Sequence, residues 1–219
     1  MEWNEIVKSV QDAYRVAVNE WVGKARIQGG TVKGPSAVLT PGSLVSETNI
    51  EARMVQILAS SRVPRDIATG LAKVLADAWN EWAAGYQIQI PKAYPSFAAV
   101  PGRAAPPTPA SQAPSLSLGS SRGEASLKSP LLAQRLAAAP GMLAANAAGG
   151  NSDAVKNLAS WVEGSFNEWK AGTTMVGLIG KGPVPTFAPP YVPVGPVIAG
   201  ENTSAAVLFA GPRFGKVII

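Results

Sequence analysis

The chain has 219 residues, a mass of 22.6 kDa and a formal charge of +5, with neither histidine nor cysteine. The two missing residue types exclude a Cys nucleophile, a Ser-His-Asp triad, a zinc finger, a His- or Cys-ligated haem and a disulfide scaffold. Charged residues are only 15%, against about 25% in ordinary soluble domains, so much of the surface is expected to be covered by other subunits.

A first helix is predicted over 4–22. The start, Met1-Glu2-Trp3-Asn4-Glu5, is acidic and lacks the basic-then-apolar order of a signal peptide. Residues 25–32 read as strand-like, and Gly34-Pro35 through Pro41-Gly42 as extended chain. Residues 47–61 carry Ile50, Met54, Ile57 and Leu58 at helical spacing. A second long helix is predicted over 66–83, then a strand-like 86–90 and an extended stretch from Pro91 to Pro101-Gly102. Residues 101–126 are rich in Pro, Ala and Ser and read as a linker or surface-bound arm. Residues 127–147 are helical through Leu131, Leu132, Leu136, Met142 and Leu143, with a break at Pro140-Gly141. A third long helix is predicted over 153–170, followed by a strand-like 173–179 and extended chain from Gly182-Pro183 to Pro196. Residues 205–219 read as two short strands joined by Gly211-Pro212, with Val217-Ile218-Ile219 as an apolar end expected to dock. Proline has no amide donor, so the Pro-punctuated stretches are expected as arms on a neighbouring surface, edge strands or polyproline-like spans, and not as central strands. No apolar run approaches the roughly eighteen residues that span a bilayer.

The three long helices share a motif. Asn-Glu-Trp occurs as Asn19-Glu20-Trp21, Asn80-Glu81-Trp82 and Asn167-Glu168-Trp169. Upstream of each Trp stand Val18, Trp79 and Phe166, then Tyr14, Leu75 and Val162, then Val10, Leu71 and Leu158, then Val7, Ala68 and Val155. Their alternating spacing of three and four is one stripe of an amphipathic helix. An acid opens each helix (Glu5, Asp66, Asp153), where it complements the helix dipole. Gly23, Gly85 and Gly172 follow, where a left-handed C-terminal cap favours glycine.

The nine Asn-Glu-Trp residues are the candidate partner-binding site, because Trp is enriched where one chain anchors on another. The plainer alternative is a helix-ending core motif, with Trp in the seam and Asn and Glu facing out or bonding to the chain that turns back. No catalytic, cofactor-binding or metal-binding residue is assigned. The few acids recur as helix-start and helix-end elements and form no pair for glycosidase-type chemistry. Residues 177–182 are Gly-rich but contain no Gly-Lys-Ser/Thr phosphate loop. The tryptophans lie on apolar stripes, which favours packing over stacking on single-stranded nucleic acid.

The expected fold is mainly α with short β segments and long extended arms, a three-fold internal repeat of helix, glycine and extended arm. The expected units are 1–45 (helix plus arm), 46–111 (helix pair plus arm), a low-complexity linker at 112–126, 127–200 (helix pair plus arm) and a strand-like 201–219. Scarce charge, repeats and arms are similar to the composition of minor capsid, cement or baseplate proteins of phage-like particles, as an analogy of architecture. The expected function is that of a non-enzymatic structural subunit of a large assembly, located in a virion or otherwise in the cytoplasm. Its expected partners are other structural proteins and copies of itself, with no membrane and no cofactor. The alternative is a nucleic-acid-binding or packaging protein that uses the mild basic excess.

Overall fold

The structure is a computed structural model that describes residues 2–94, 104–142, 152–183, 187–188, 192–193, 200–204 and 208–215. Three helices of equal length dominate it: α1 (Trp3–Gly23), α3 (Arg65–Gly85) and, after numbering the short helices, α5 (Ser152–Gly172). Each forms where the three–four apolar spacing predicts it. Their buried residues include Val10, Tyr14, Val18 and Trp21 on α1; Leu71, Leu75, Trp79 and Trp82 on α3; and Leu158, Val162, Phe166 and Trp169 on α5. Two nine-residue helices, α2 (Ile50–Leu58) and α4 (Ser129–Ala137), bridge the long ones: α2 packs on α1 and α3, and α4 on α3 and α5. Asn49 starts α2 by accepting the Ala52 N–H on its side chain. Pro130 starts α4, where its missing N–H costs nothing.

The first-turn acids Glu5, Asp66 and Asp153 stand where expected. The glycine stops act differently from the expectation. None of Gly23, Gly85 and Gly172 has a positive φ. Lys24 and Tyr86 close α1 and α3 at ordinary negative φ, Tyr86 in extended conformation. At two of these positions glycine serves by its size. A side chain at Gly85 would meet the Ser121 hydroxyl and the Gly123 amide, and one at Gly172 would meet the Pro212 ring.

The arms are the main correction. The strands are β1 (Arg26–Ile27), β2 (Gly30–Lys33), β3 (Ser36–Leu39), β4 (Leu44–Val45), β5 (Tyr86–Ile90), β6 (Ala104–Pro109), β7 (Ser120–Ser121), β8 (Thr174–Met175), β9 (Leu178–Pro183), β10 (Phe187–Ala188), β11 (Val192–Pro193), β12 (Gly200–Ser204) and β13 (Phe209–Ala210). Seven of them make one antiparallel sheet in the order β6-β9-β12-β2-β3-β5-β7. The stretch read as an arm over 34–42 therefore supplies the central strand β3, beside β2 and β5 from the segments read as strand-like. The reason is local: Pro35 falls in a turn and Pro183 at a strand end, while Pro106 and Pro107 lie inside β6, an edge strand whose register breaks between Ala105 and Thr108, as the missing donors require. Gly34-Pro35 illustrates it. Lys33 pairs with Ser36, so Gly34-Pro35 is a two-residue hairpin turn, with Gly34 at φ +59° as such a turn requires.

The three-fold repeat of helix, glycine and arm is not present as a fold. The sheet draws strands from the whole chain in an order that does not repeat, and pairs β12 with β2 across most of the sequence. A shared apolar stripe specifies an amphipathic helix and leaves its surroundings unspecified. Between the helices, the short 3₁₀ segments Leu116–Leu118 and Arg122–Leu127 pack against α5 and α3. Beyond α4, Gly141 turns at φ +82° at the predicted break, while 143–147 lie outside the described residues. So do most of 184–199, together with 205–207 and 216–219.

Helices and sheet share one contiguous apolar core, to which the sheet gives Val32, Leu39, Ile88 and Ile90. Asn202, one of the buried polar residues, accepts a short hydrogen bond from the Tyr94 hydroxyl and donates to the Thr31 carbonyl at 2.7 Å. Burial pushes the Tyr94 hydroxyl up to about 12, so it remains a donor at every ordinary pH. No helix among the described residues is long and apolar enough to cross a membrane.

Candidate functional site

The C-terminal ends of α1, α3 and α5 converge, and the three motif tryptophans meet there. Trp21, Trp82 and Trp169 are all buried, together with Trp79. Ring centroids lie 5.0 Å apart for Trp79–Trp82, 5.4 Å for Trp21–Trp79, 5.3 Å for Trp79–Trp169 and 5.6 Å for Trp82–Trp169. Phe166 stands edge-on to Trp82 at 5.2 Å, and Phe214 edge-on to Trp79 at 5.6 Å. Edge-to-face and tilted pairs each add about 0.5–1.5 kcal/mol beyond area burial. The indole N–H groups of Trp79 and Trp82 are buried without an acceptor, so this packing also offsets a desolvation cost.

The motif carboxylates serve as clasps in two of the three copies. Glu20 on α1 takes Arg53 of α2 through both of its oxygens at 2.7–2.9 Å. Glu81 on α3 takes Arg135 of α4 at 2.9 and 3.0 Å and accepts a short hydrogen bond from the Ser126 hydroxyl. α1 and α3 each thus hold the short helix that follows them. Glu168 is exposed. On α5 the neighbouring Lys170 forms the ion pair instead, with Glu124 of the second 3₁₀ segment at 2.6 Å.

The asparagines diverge further. The Asn19 carboxamide donates to the Phe214 carbonyl at 3.1 Å and accepts the Phe214 N–H at 3.0 Å, as a neighbouring strand would. This seats residues 211–215 in the seam between α1 and α5, with Phe214 edge-on to Tyr14 and Trp161. Asn80 and Asn167 are exposed. The nine predicted residues are therefore brought to one end of the helices but divide by role: three rings in the core, Asn19, Glu20 and Glu81 in internal clasps, and Asn80, Asn167 and Glu168 at the surface.

Several residues that build this region carried no signal of their own. Arg53 and Arg135 looked like ordinary basic positions on short helices. Phe214 stood alone between Gly-Pro-Arg and Gly, and only the folded chain puts it beside Trp79.

Glu81 gives a pH dependence. Burial tends to raise its carboxyl, but the Ser126 hydroxyl and the Arg135 guanidinium outweigh it, and the group sits below the usual carboxylate range. A lowered folded value means stability that is present above the unfolded pKa, about 4.3, and lost as pH falls through the folded value. Urea midpoints should therefore fall less between neutral pH and about pH 3 in Glu81→Gln than in the parent chain. Equal falls in both would remove Glu81 from the acid response.

Three surface recesses lie along the long helices. The largest, about 1050 Å³, is walled by Arg15, Val16, Asn19 and Glu20 of α1 and by Pro212 and Arg213 of the clasped segment. Val16 is 37% exposed within it, one of two exposed large apolar side chains among the described residues. Its charged groups are largely engaged: Arg15 with Asp12 at 2.9 Å, and Glu20 with Arg53. A second recess, of about 480 Å³, lies between the ends of α1 and α3, and a third, of about 580 Å³, lies beside the first turn of α3. Among the described residues, no three Asp or Glu side chains gather as metal ligands would.

The chain matches no protein family, no curated protein and no solved structure.

Proposed function

We propose that the chain is a non-enzymatic structural subunit of a large protein assembly, of the minor capsid, cement or baseplate kind found in virions. The observation that carries this reading is the use made of the repeated motif. Its rings and two of its carboxylates hold helices together, while Asn80, Asn167 and Glu168 remain at the surface for neighbours. Scarce charge supports the reading, because a chain with only 15% charged residues has little charge to spread over its surface, which suits lying against other protein. The recess around the exposed Val16 offers one such face. The partners are other structural proteins and further copies of the chain.

The basic excess gives less support to a packaging role. Among the described residues, eight Lys and Arg are ion-paired to the chain's own acids: Arg15, Arg53, Lys73, Lys128, Arg135, Lys156, Lys170 and Lys181.

The test is purification of the tagged chain from its natural source, followed by electron microscopy. Regular particles that contain it at fixed stoichiometry are expected. A free 22.6 kDa monomer at every stage overturns the proposal. A duplex-DNA titration at varied salt separates the packaging role, for which affinity would fall steeply with salt as phosphate contacts release counterions.

A further inference from the structure

The two short helices are seated on the long ones in the same way. Both carry the pattern apolar-x-x-Arg-apolar, as Ile50-x-x-Arg53-Met54 on α2 and Leu132-x-x-Arg135-Leu136 on α4. The apolar residues of each pattern are buried. The arginine reaches back to the motif glutamate of the preceding long helix, Arg53 to Glu20 and Arg135 to Glu81. The other flank of each short helix meets the next long helix at the position nine before its motif tryptophan. On α5 that position is Ser160, whose hydroxyl lies 3.1 Å from the Ser129 hydroxyl of α4, and the Ser129 amide donates to Glu163 at 2.8 Å. On α3 it is Lys73, held protonated by Asp77 and, beyond it, by Glu51 in the first turn of α2.

The third motif helix has the carboxylate but, among the described residues, no short helix upon it. Glu168 is exposed and forms no ion pair among them. The long helix on the far side of this seam is α1, which packs on α5. Its corresponding surface is bare: Asp12, nine before Trp21, is exposed and pairs only with Arg15 of its own helix, and Val16 is 37% exposed. The recess of about 1050 Å³ opens over this surface, between Arg15, Val16, Asn19 and Val22 of α1 and Pro212 and Arg213 of the clasped segment. Glu168 borders it, because Gly172, four residues on and on the same face of α5, lies against the Pro212 ring. The counterpart beside α2 is walled by Asn80, Ala83 and Ala84 of α3, which stand where Asn19, Val22 and Gly23 stand on α1. With α2 in place only about 480 Å³ is left there.

We propose that the recess over α1 seats a short amphipathic helix of a neighbouring polypeptide, one that carries the pattern apolar-x-x-Arg-apolar. Its apolar side covers Val16 and Val22, and its arginine takes Glu168 as Arg53 takes Glu20 and Arg135 takes Glu81. Recognition of this kind lays the apolar face of a helix into a groove, with residues one turn apart as anchors. Arg15 and Arg213 at the rim favour a carboxylate elsewhere on the same helix. That the neighbour belongs to the same particle rests on the assembly reading; the seat itself rests on the residues of this chain. Failure of the binding test leaves the assembly reading to the electron microscopy, and a monomer in the microscope leaves the seat intact.

The probe is a peptide of residues 48–60, which contains α2, with Ala52→Lys and Gln56→Asp joined as a lactam. Both positions are exposed, and the link holds helical a segment too short to stay so alone. It is titrated into the full chain and followed by nuclear magnetic resonance. Saturable shifts are expected for the Arg15, Val16, Asn19 and Glu168 signals. Affinity should fall about fivefold or more in Val16→Ser. It should fall about threefold in Glu168→Gln, or with Arg53→Gln in the peptide, and little further when the last two are combined. Unchanged amide signals away from the recess show that a variant is folded. A variant that fails to fold is replaced by the altered peptide, which leaves the chain untouched. Shifts confined to the surroundings of α2 and α4 mean that the peptide displaces the chain's own helices, and they overturn the proposal. Equal affinity of the Arg and Gln peptides overturns the clasp at Glu168. Absence of saturable shifts up to about 5 mM peptide overturns the seat.

Discussion

Replacing Trp79 by alanine is expected to lower the unfolding free energy by about 3–5 kcal/mol, the largest effect of any single truncation in this chain. Trp79 is fully buried at the middle of the cluster, with Trp21, Trp82, Phe166, Trp169 and Phe214 all around it. Truncation removes its own buried area and leaves a cavity whose lining comes from all three long helices, so no single element can move in to fill it. A domain of this size has about 5–15 kcal/mol in total, and the variant should sit close to its unfolding threshold. Urea titration followed by circular dichroism gives the number. Trp79→Phe keeps an aromatic ring and removes the unpartnered indole N–H, and it should lose much less. Trp161→Ala, on a half-buried ring at the margin of the cluster, should also lose less. A loss below about 1 kcal/mol in Trp79→Ala would mean that the convergence of helix ends is not what holds the core.

The second large effect is expected at Gly123. A Cβ there would stand 2.0 Å from the Glu81 carbonyl oxygen and 2.7 Å from the Trp82 amide nitrogen, both backbone atoms of α3. Hydrogen-bonded helix backbone yields little, so Gly123→Ala must push the second 3₁₀ segment off the last turns of α3. That movement pulls Ser126 away from Glu81 and strains the Lys170–Glu124 pair. Overpacking of this kind costs about 1–3 kcal/mol, occasionally more. Gly164 is the contrasting position: it lies inside α5, is exposed, and has no atom within 4 Å of an added Cβ. Gly164→Ala should stabilise by about 0.5–1 kcal/mol, through helix propensity and a less disordered unfolded chain. Parallel denaturation of the two variants reads both signs in one experiment. A neutral Gly123→Ala would show that the segment floats on α3 without being pressed against it.

The helices were legible in the sequence because their signal is local. Val10, Tyr14, Val18 and Trp21 announce a buried face whatever lies against it. The sheet was not legible, for the opposite reason. Single strands could be read where alternation shows, as over 86–90, which became β5, but their pairing could not, because the partners are remote: Thr31 pairs with Glu201, and Ile179 with Thr203. Proline gave the misleading cue. Its missing donor excludes it from the middle of a ladder, but Pro35 sits in a turn, where that donor is not needed. The motif shows the same division. That Trp21, Trp82 and Trp169 would be buried could be read from their stripe. That Asn19 would clasp a backbone 195 positions away, while Asn80 would line a recess, depends on what arrives from elsewhere in the chain.

The crowding of indoles at the helix ends also makes the molecule its own optical gauge. Four of its six tryptophans lie within one cluster, at centroid separations of 5.0–6.4 Å. Chromophores so close share their excitation, so absorbed light passes among them and is emitted by whichever ring lies lowest in energy. The emission and the coupled circular-dichroism band then belong to the arrangement of α1, α3 and α5 together, and not to any one ring. A shift of one helix end relative to the others would change both signals, with no label attached.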